Sequence, residues 1–380
     1  MLLRTLAVAS IVAMGTAARA EEAARIVDEK VIFEMSDDAK VRENRGVGSM
    51  RLSPDGTNLL YIRRCVDGNR DRDYKLIIRD IKAAKEKELK IVPYEDDDIA
   101  VIMLSSRVFD PSGKRLALGM GVDVNKDGRH DFPKETMQAI LYDLATDKIT
   151  KVGAPAPVVV ASFDRTGKAL VLISADVMAQ SGTMYTTPAD KVKLRQLGLW
   201  GLPRGICPTA DVLALLLPPK REPGGRRKNT LVLFDLAKDK IAASLPVREG
   251  NTKLDDYCPH WTVDGRYLYY VGVDREPKDD GSTESKYESR IWDRIKGELA
   301  PEVPGMIPLG PGPTATTMVL CSYETRDKLA VHDAAGGKTW TVAAPALRPI
   351  GSEGRYILYV KPGKDGKDVL CRGRITLPGS

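Results

Sequence analysis

Short stretches of alternating hydrophobic and polar residues, joined by tight turns, recur along this chain. The first covers residues 51–62, where a short strand, a turn at Pro54-Asp55-Gly56 and a second strand rich in β-forming residues follow one another. Proline presets φ at the first central position of such a turn, and glycine tolerates a positive φ beside it. The pattern therefore predicts a β-hairpin.

The same hairpin pattern returns several times. Clear copies cover residues 108–118, 162–172 and 260–270, and weaker copies cover 207–213 and 351–357. Each hairpin is followed by a third strand that ends in Asp, then by a short polar turn and a fourth strand; one degenerate copy has its middle strands at 317–320 and 329–331. Units of four short strands and about 40 to 55 residues are typical of the blades of a β-propeller.

The number of these units predicts the architecture. Counting the degenerate copy, the sequence predicts an all-β fold, a seven-bladed β-propeller of four-stranded antiparallel blades; six blades is the alternative. The last unit lacks an outer strand, and we expect residues 30–34 to supply it. An N-terminal strand in that position would close the ring and remove an open sheet edge.

The turn motifs also carry a family resemblance. Ser-Pro-Asp-Gly at 53–56, Asp-Pro-Ser-Gly at 110–113 and Val-Asp-Gly-Arg at 263–266 resemble the Ser-Pro-Asp-Gly-(Lys/Arg) hairpin of the TolB-like propeller repeats, a branch of the WD-like propellers. The resemblance covers residues 30–377. It is specific for the propeller architecture and says almost nothing about an activity. Members of that group are mostly periplasmic or extracytoplasmic binding scaffolds, and some form the front domain of prolyl-oligopeptidase-type peptidases.

The N-terminus predicts export. Residues 1–20 contain a basic start at Arg4, an apolar run over 6–14 and a small-x-small site, Ala-Arg-Ala, at 18–20. This is the pattern of a secretory signal peptide; an uncleaved N-terminal anchor is the alternative. We expect a single mature propeller domain over 21–380, located in the periplasm or secreted, with no membrane span after cleavage.

Charge and cysteine content narrow the possible partners. A formal net charge of +6 is too mild to indicate a nucleic-acid partner. The five cysteines, an odd number for an oxidising compartment, permit at most two disulfides and leave one thiol. The pairing stays open among Cys65, Cys207, Cys258, Cys321 and Cys371, and buried thiols with at most one bridge are the favoured interpretation.

One loop has the spacing of a calcium site. Residues 123–131 read Asp-x-Asn-x-Asp-Gly-x-x-Asp, which matches the loops of EF-hands, dockerins and integrin-type propeller repeats. Calcium takes six to eight oxygen ligands, and positions 1, 3 and 5 converge when glycine at position 6 allows the sharp turn. The predicted ligands are Asp123, Asn125, Asp127, the Arg129 carbonyl and Asp131. Because the bidentate Glu of an EF-hand is missing, we expect a weak structural site, with Kd on the order of 10⁻⁴ to 10⁻³ M; a metal-free polar turn is the alternative.

Charged connections predict one binding face. In a propeller, the connections between the second and third strands and those between blades lie on the same face, and here they carry charges of both signs. Regions of opposite charge on one face suit the docking of a polar partner. The alternative, that these charged residues only keep the protein soluble, explains them equally well. The candidate residues for ligand or partner binding are Asp67, Asp71, Asp73, Asp96, Asp97, Arg226 and Arg227, with His260 facing the central channel.

Catalytic patterns are scarce. Cys258 and His260 share one strand face, but no orienting third group accompanies them, and packing is the favoured role. There is no Gly-x-Ser-x-Gly elbow, glycine-rich phosphate loop or zinc spacing. The sequence favours a non-enzymatic scaffold that recognises a protein or polar ligand, and assigns no catalytic residue. The alternative is a carbohydrate-active hydrolase or lyase using acidic residues at the channel mouth.

Overall fold

The fold is built from β-strands throughout the described part of the chain. The structure, a computed structural model, describes residues 23–34, 50–67, 70–89, 102–121, 136–156, 159–164, 166–176, 181–189, 193–199, 201–221, 227–245, 259–277, 279, 282–343, 347–364 and 366–379. None of these residues forms a helix, so none lies in a helix able to cross a membrane. The predicted signal peptide, residues 1–20, lies outside these ranges.

The N-terminal strand β1 (Ala24–Glu34) is followed by five four-stranded antiparallel sheets in chain order. The first sheet contains β2 (Met50–Leu52), β3 (Asn58–Asp67), β4 (Arg70–Asp80) and β5 (Lys85–Glu88). The second contains β6 (Ile102–Phe109), β7 (Arg115–Gly121), β8 (Met137–Asp143) and β9 (Ile149–Ala156). The third contains β10 (Val159–Phe163), β11 (Ala169–Asp176), β12 (Ser181–Pro188) and β13 (Arg195–Gln196). The fourth contains β14 (Leu202–Ile206), β15 (Val212–Arg221), β16 (Arg227–Asp235) and β17 (Lys240–Leu245). The fifth contains β18 (His260–Trp261), β19 (Tyr267–Pro277), β20 (Thr283–Asp293) and β21 (Glu298–Pro304).

The remaining strands form one eight-stranded sheet. They are β22 (Met306–Pro311), β23 (Thr317–Ser322), β24 (Leu329–Asp333), β25 (Lys338–Ala343), β26 (Arg348–Glu353), β27 (Tyr356–Pro362) and β28 (Asp368–Thr376). The strand order in this sheet is β22-β23-β24-β25-β1-β28-β27-β26.

The predicted number of blades is therefore wrong. The structure has five four-stranded blades and the eight-stranded sheet, rather than seven or six four-stranded blades. The cause is β1, which pairs antiparallel with β28 on one edge and parallel with β25 on the other. The strand β1 starts at Ala24, earlier than the predicted residues 30–34. Ala24 and Arg25 therefore pair with Val342 and Ala343, and this pairing joins strands β22 to β25 to strands β26 to β28.

The hydrophobic core lies between neighbouring sheets. Central strands such as β7 and β23 are buried on both faces, whereas outer strands such as β5 and β21 are largely exposed. One cluster joins Leu60 of the first sheet to Leu118 of the second, and another joins Tyr61 of the first sheet to Leu358 of the eight-stranded sheet. Burial between sheets, at about 25 cal/mol per Å² of apolar surface, is the main stabilising term of this arrangement.

The repeated hairpin turns link each sheet to a neighbour. A Cβ atom added at Gly167 would lie 2.6 Å from Cδ of Pro111 in the preceding sheet, and one at Gly56 would lie 2.6 Å from Cε2 of Tyr356. Both glycines have φ near +70°, at +70° and +68°. The Arg372 guanidinium also donates a 2.7 Å hydrogen bond to the Gly56 carbonyl. The first sheet therefore packs against the eight-stranded sheet.

Candidate functional site

The first strands of the sheets converge at the centre of the molecule. The strand β6 contacts β10, β14 contacts β18, and β18 and β26 both contact β22. The strand β6 also contacts β14, although the third sheet lies between their sheets in the chain. The inner strands therefore surround the centre of the molecule, which is the position of the central channel in a β-propeller.

Four titratable residues on four different inner strands are linked by electrostatic interactions. They are Arg51 on β2, Arg107 on β6, His260 on β18 and Glu353 on β26. The charge of Arg51 acts on His260 and Glu353, and the charge of Arg107 acts on Glu353. The sheets that carry Arg51 and His260 are not neighbours, so this interaction runs across the channel. The structure thus brings together side chains from four sheets.

The channel perturbs the protonation of these groups. Burial lowers the pKa of His260 to about 4, with a further contribution from the positive charge of Arg51, so the imidazole is neutral at ordinary pH. Burial raises the pKa of the Glu353 carboxyl, and the positive charges of Arg107 and Arg51 oppose that rise. Burial also lowers the pKa of Arg107, against the negative charges of Glu353 and Asp164. An arginine nevertheless stays protonated in proteins.

Three of these side chains have no direct partner. Within the described ranges, Arg107, His260 and Glu353 form no side-chain hydrogen bond and no ion pair. All three are half-buried, which means that they keep some accessible surface although protein surrounds them. Desolvating charged groups without pairing them destabilises a fold. Such groups are concentrated at functional sites.

Two buried carboxylates elsewhere in the described fold are paired with arginines, unlike Glu353. Arg266 donates two hydrogen bonds to the buried carboxylate of Asp293, at 2.8 and 3.1 Å to the same oxygen. The buried carboxylate of Asp110 accepts a 3.1 Å hydrogen bond from Nε of Arg115. These two buried carboxylates thus have arginine partners, whereas Arg107, His260 and Glu353 have no such partner among the described residues.

The cluster lies at the hairpin-turn end of the channel. Arg51 and His260 each precede the first residue of a turn motif, Ser53 or Thr262, by two positions, and Glu353 directly precedes the turn at Gly354. The sequence had placed the binding face at the other end of the strands. Of the predicted binding residues, the described cluster contains His260 alone.

Sequence reasoning missed Arg51, Arg107 and Glu353. The available signal was a charged residue on a short innermost strand, one to three positions before a repeated turn. A single such residue is unremarkable, because exposed strand positions are often charged. The signal becomes informative only when the innermost strands of several blades are compared at the same register.

The other predicted binding residues are only partly covered. Asp67 ends β3, and Asp71 and Asp73 lie in β4, so this predicted loop is largely an extension of a β-hairpin. Arg227 begins β16 and pairs with Arg221. Asp96, Asp97 and Arg226 lie outside the described residues. Their role in binding stays a prediction.

The predicted calcium ligands also lie outside the described residues. Asp123, Asn125, Asp127, Arg129 and Asp131 all fall in the connection from β7 to β8. In the described part of the chain, no group of three or more His, Cys, Asp or Glu side chains is arranged to hold a metal ion.

Three of the cysteines are shown to be buried thiols. Cys207, Cys321 and Cys371 are free and buried, and burial raises the pKa of Cys321 and Cys371 to about 11. Such thiols are poor nucleophiles because the thiolate is the reactive form. Cys258 lies outside the described residues, so its pairing with His260 stays untested.

Comparisons with known proteins support the β-propeller fold. No family model and no curated protein matches the sequence. The fold is similar to the β-propeller domain of the Trilobed protease from Pyrococcus furiosus, with a TM-score of 0.54, 14% identity and coverage of 88% of this chain and 96% of that one. An oligogalacturonate lyase from Vibrio parahaemolyticus matches with a TM-score of 0.46 and 11% identity over 93% of this chain and 98% of that one. The tricorn protease matches with a TM-score of 0.44 and 15% identity over 87% of this chain and 44% of that one. At 14% identity, the likeness to the propeller domain of the Trilobed protease shows the fold alone.

Proposed function

We propose that this protein is an exported, non-enzymatic scaffold that binds a polar ligand in its central channel. The observation that carries this proposal is the convergence of Arg107, His260 and Glu353, which have no hydrogen-bond or ion-pair partner among the described residues. A ligand that supplied those partners would recover the interactions that the free protein lacks. Specific binding sites gain much of their selectivity in this way.

The chemistry of the cluster suits recognition. An arginine presents a rigid fork of donors, a neutral imidazole offers one donor and one acceptor, and a carboxyl group accepts or donates according to its protonation. The groups come from separate sheets, so the packing between the sheets holds them in place. Rigid elements position binding groups more accurately than loops do.

The proposal can be tested with a library of small polar compounds. We expect some of them to raise the melting temperature of the mature protein and to lose that effect in Arg107→Gln and Glu353→Gln. Lys296→Gln is the matched control, because Lys296 is exposed and forms only a 3.5 Å ion pair with Glu298 in a peripheral hairpin. A library without stabilising compounds, or one whose compounds stabilise both channel variants equally, would contradict the proposal.

We also propose that the connection at 123–131 binds one structural calcium ion. Its support is the ligand spacing of Asp123, Asn125, Asp127 and Asp131. We expect millimolar calcium to raise the melting temperature of the wild type and not of Asp127→Asn. Absence of both binding heat and thermal shift in the wild type would refute it.

One observation favours an enzyme as the second candidate. Glu353, whose pKa is raised, and His260, which is neutral, resemble an acid and a base held at different protonation states. The corresponding activity would be hydrolysis or elimination on a carbohydrate. Turnover of oligosaccharides by the wild type, with loss in Glu353→Gln, would establish it; a stabilising oligosaccharide that is bound and left intact would rule it out.

A further inference from the structure

We propose that the channel ligand is a small organic carboxylate, and that Glu353 takes up a proton when this carboxylate binds. The inference rests on the proposed function, because it names the ligand class of the same site. It goes beyond that function by predicting which atoms of the ligand are recognised and how binding depends on pH.

The charge of the cluster favours an anion. Arg51 and Arg107 are positive and His260 is neutral, so Glu353 supplies the only negative charge among the four residues. These four residues therefore carry an excess of positive charge even when Glu353 is ionised. Asp164 also acts on Arg107, but it lies beyond the end of β10 and accepts hydrogen bonds from its own turn.

The lack of a direct contact between Glu353 and Arg107 suggests a bridging ligand. The two residues interact electrostatically but do not form an ion pair. The guanidinium of Arg107 has no hydrogen-bond acceptor among the described residues. A carboxylate matches the fork of a guanidinium with two parallel hydrogen bonds. A carboxylate-bearing ligand would thus provide the acceptor that Arg107 lacks.

Proton uptake follows from the position of Glu353. The charged groups that act on it are Arg107 and Arg51, the same groups that would hold the ligand. When two carboxylates share one site, the second ionisation is strongly disfavoured. Glu353 is already partly desolvated, so it is the group that becomes protonated. The cluster lies among the inner strands at the centre of the molecule, which favours a small molecule over a folded partner.

Calorimetry of the mature protein tests the inference. The probes are acetate, succinate and citrate, with uncharged succinamide and inorganic sulfate for comparison, each measured in two buffers of different ionisation enthalpy. We expect a one-to-one complex with a carboxylate probe and uptake of up to one proton. Above the pKa of Glu353, the affinity should fall by up to about tenfold per pH unit.

Variants separate the roles of the two groups. Glu353→Gln should bind the carboxylate more tightly than the wild type at pH 8 and without proton uptake. Arg107→Gln should weaken binding by at least about tenfold, as expected for loss of a charge-assisted pair. Lys296→Gln should match the wild type in both respects. Proton uptake is measured on the wild-type protein, so that result stands even if a variant fails to fold.

The outcomes distinguish this inference from the proposed function. Binding of succinamide as tight as that of succinate, binding of sulfate as tight as that of every carboxylate, or carboxylate binding without proton uptake would overturn the inference. The scaffold proposal would survive any of these results if the ligand still required Arg107. Failure of every carboxylate while the library yields an uncharged, Arg107-dependent ligand would also overturn the inference alone. Failure of every compound, charged or uncharged, would overturn both.

Discussion

At the scale of single residues, the repeated turn is stabilised by one side chain at its first position. In the second sheet, the Asp110 carboxylate accepts hydrogen bonds from the backbone N–H groups of Lys114 and Arg115, at 2.8 and 3.1 Å, and from the Ser112 hydroxyl at 2.9 Å. In the first sheet, the Ser53 hydroxyl takes part of this role by accepting from the Asn58 N–H at 2.9 Å. A polar residue at this position recurs because it satisfies buried backbone donors.

Asp110 should make stability depend on pH. Burial alone would raise the pKa of this carboxyl, but hydrogen bonds from Arg115, Ser112 and Lys114 outweigh it and lower the pKa below 3.8. The stabilisation is therefore present above about pH 4 and is lost as the pH falls through the lowered pKa. Asp110→Asn should cost about 1 to 3 kcal/mol near neutrality. Unfolding from pH 7 to 2.5 checks this; a constant difference between variant and wild type would contradict it.

Gly56 should be intolerant of a side chain. Alanine there would adopt a φ of +68° and place its Cβ 2.6 Å from Cε2 of Tyr356. The left-handed conformation costs about 1 to 2 kcal/mol, and the clash adds about 1 to 3 kcal/mol. Gly354→Ala is the matched control, since its φ is +56° and no atom lies within 4 Å of the added Cβ. Equal losses of stability in the two variants would show that the Tyr356 ring moves aside without cost, which would contradict the prediction.

At the scale of elements, β1 determines the connectivity of the largest sheet. It pairs with β28 from Arg25 to Glu34, with two irregularities in register, and with β25 at Ala24 and Arg25. Side chains add to these backbone pairs: Glu29 accepts hydrogen bonds from Tyr359 and Lys361. The N-terminal strand thus joins segments from the far end of the chain.

Two neighbouring residues of β1 should differ sharply in their effect on stability. Ile32 is 3% exposed and packs with residues of the first and the eight-stranded sheets, whereas Val31 is 56% exposed. Ile32→Ala should destabilise by about 2 to 5 kcal/mol, and Val31→Ala by less than about 0.5 kcal/mol. Chemical denaturation measures both; similar values would mean that β1 does not pack as described.

The hairpins were predictable from sequence, but the joining of the sheets was not. The turn at 54–56 and its copies are local, so propensity and periodicity reveal them. The pairing of Ala24 and Arg25 with Val342 and Ala343 joins segments more than 300 residues apart and has no sequence signature. The blade count failed for that reason.

At the scale of the whole molecule, the site emerges only when the sheets assemble. Arg51, Arg107, His260 and Glu353 lie far apart in sequence, and each alone resembles an ordinary polar strand residue. Of these, only His260 was predicted, because it was a rare residue type on an inner strand. Two of the other three, Arg107 and Glu353, become unusual only in the assembled fold, where they are partly desolvated and have no hydrogen-bond or ion-pair partner among the described residues.

We infer that Arg107 serves to bind a ligand and does not stabilise the fold. The most direct test is to compare the melting temperatures of Arg107→Met and Arg266→Met in the ligand-free mature protein. Arg266 pairs with the buried Asp293 at 2.8 Å, so its removal should lower the melting temperature. Removal of Arg107, a partly desolvated charge without a hydrogen-bond or ion-pair partner among the described residues, should leave the melting temperature unchanged or raise it. A loss for Arg107→Met as large as that for Arg266→Met would contradict the account.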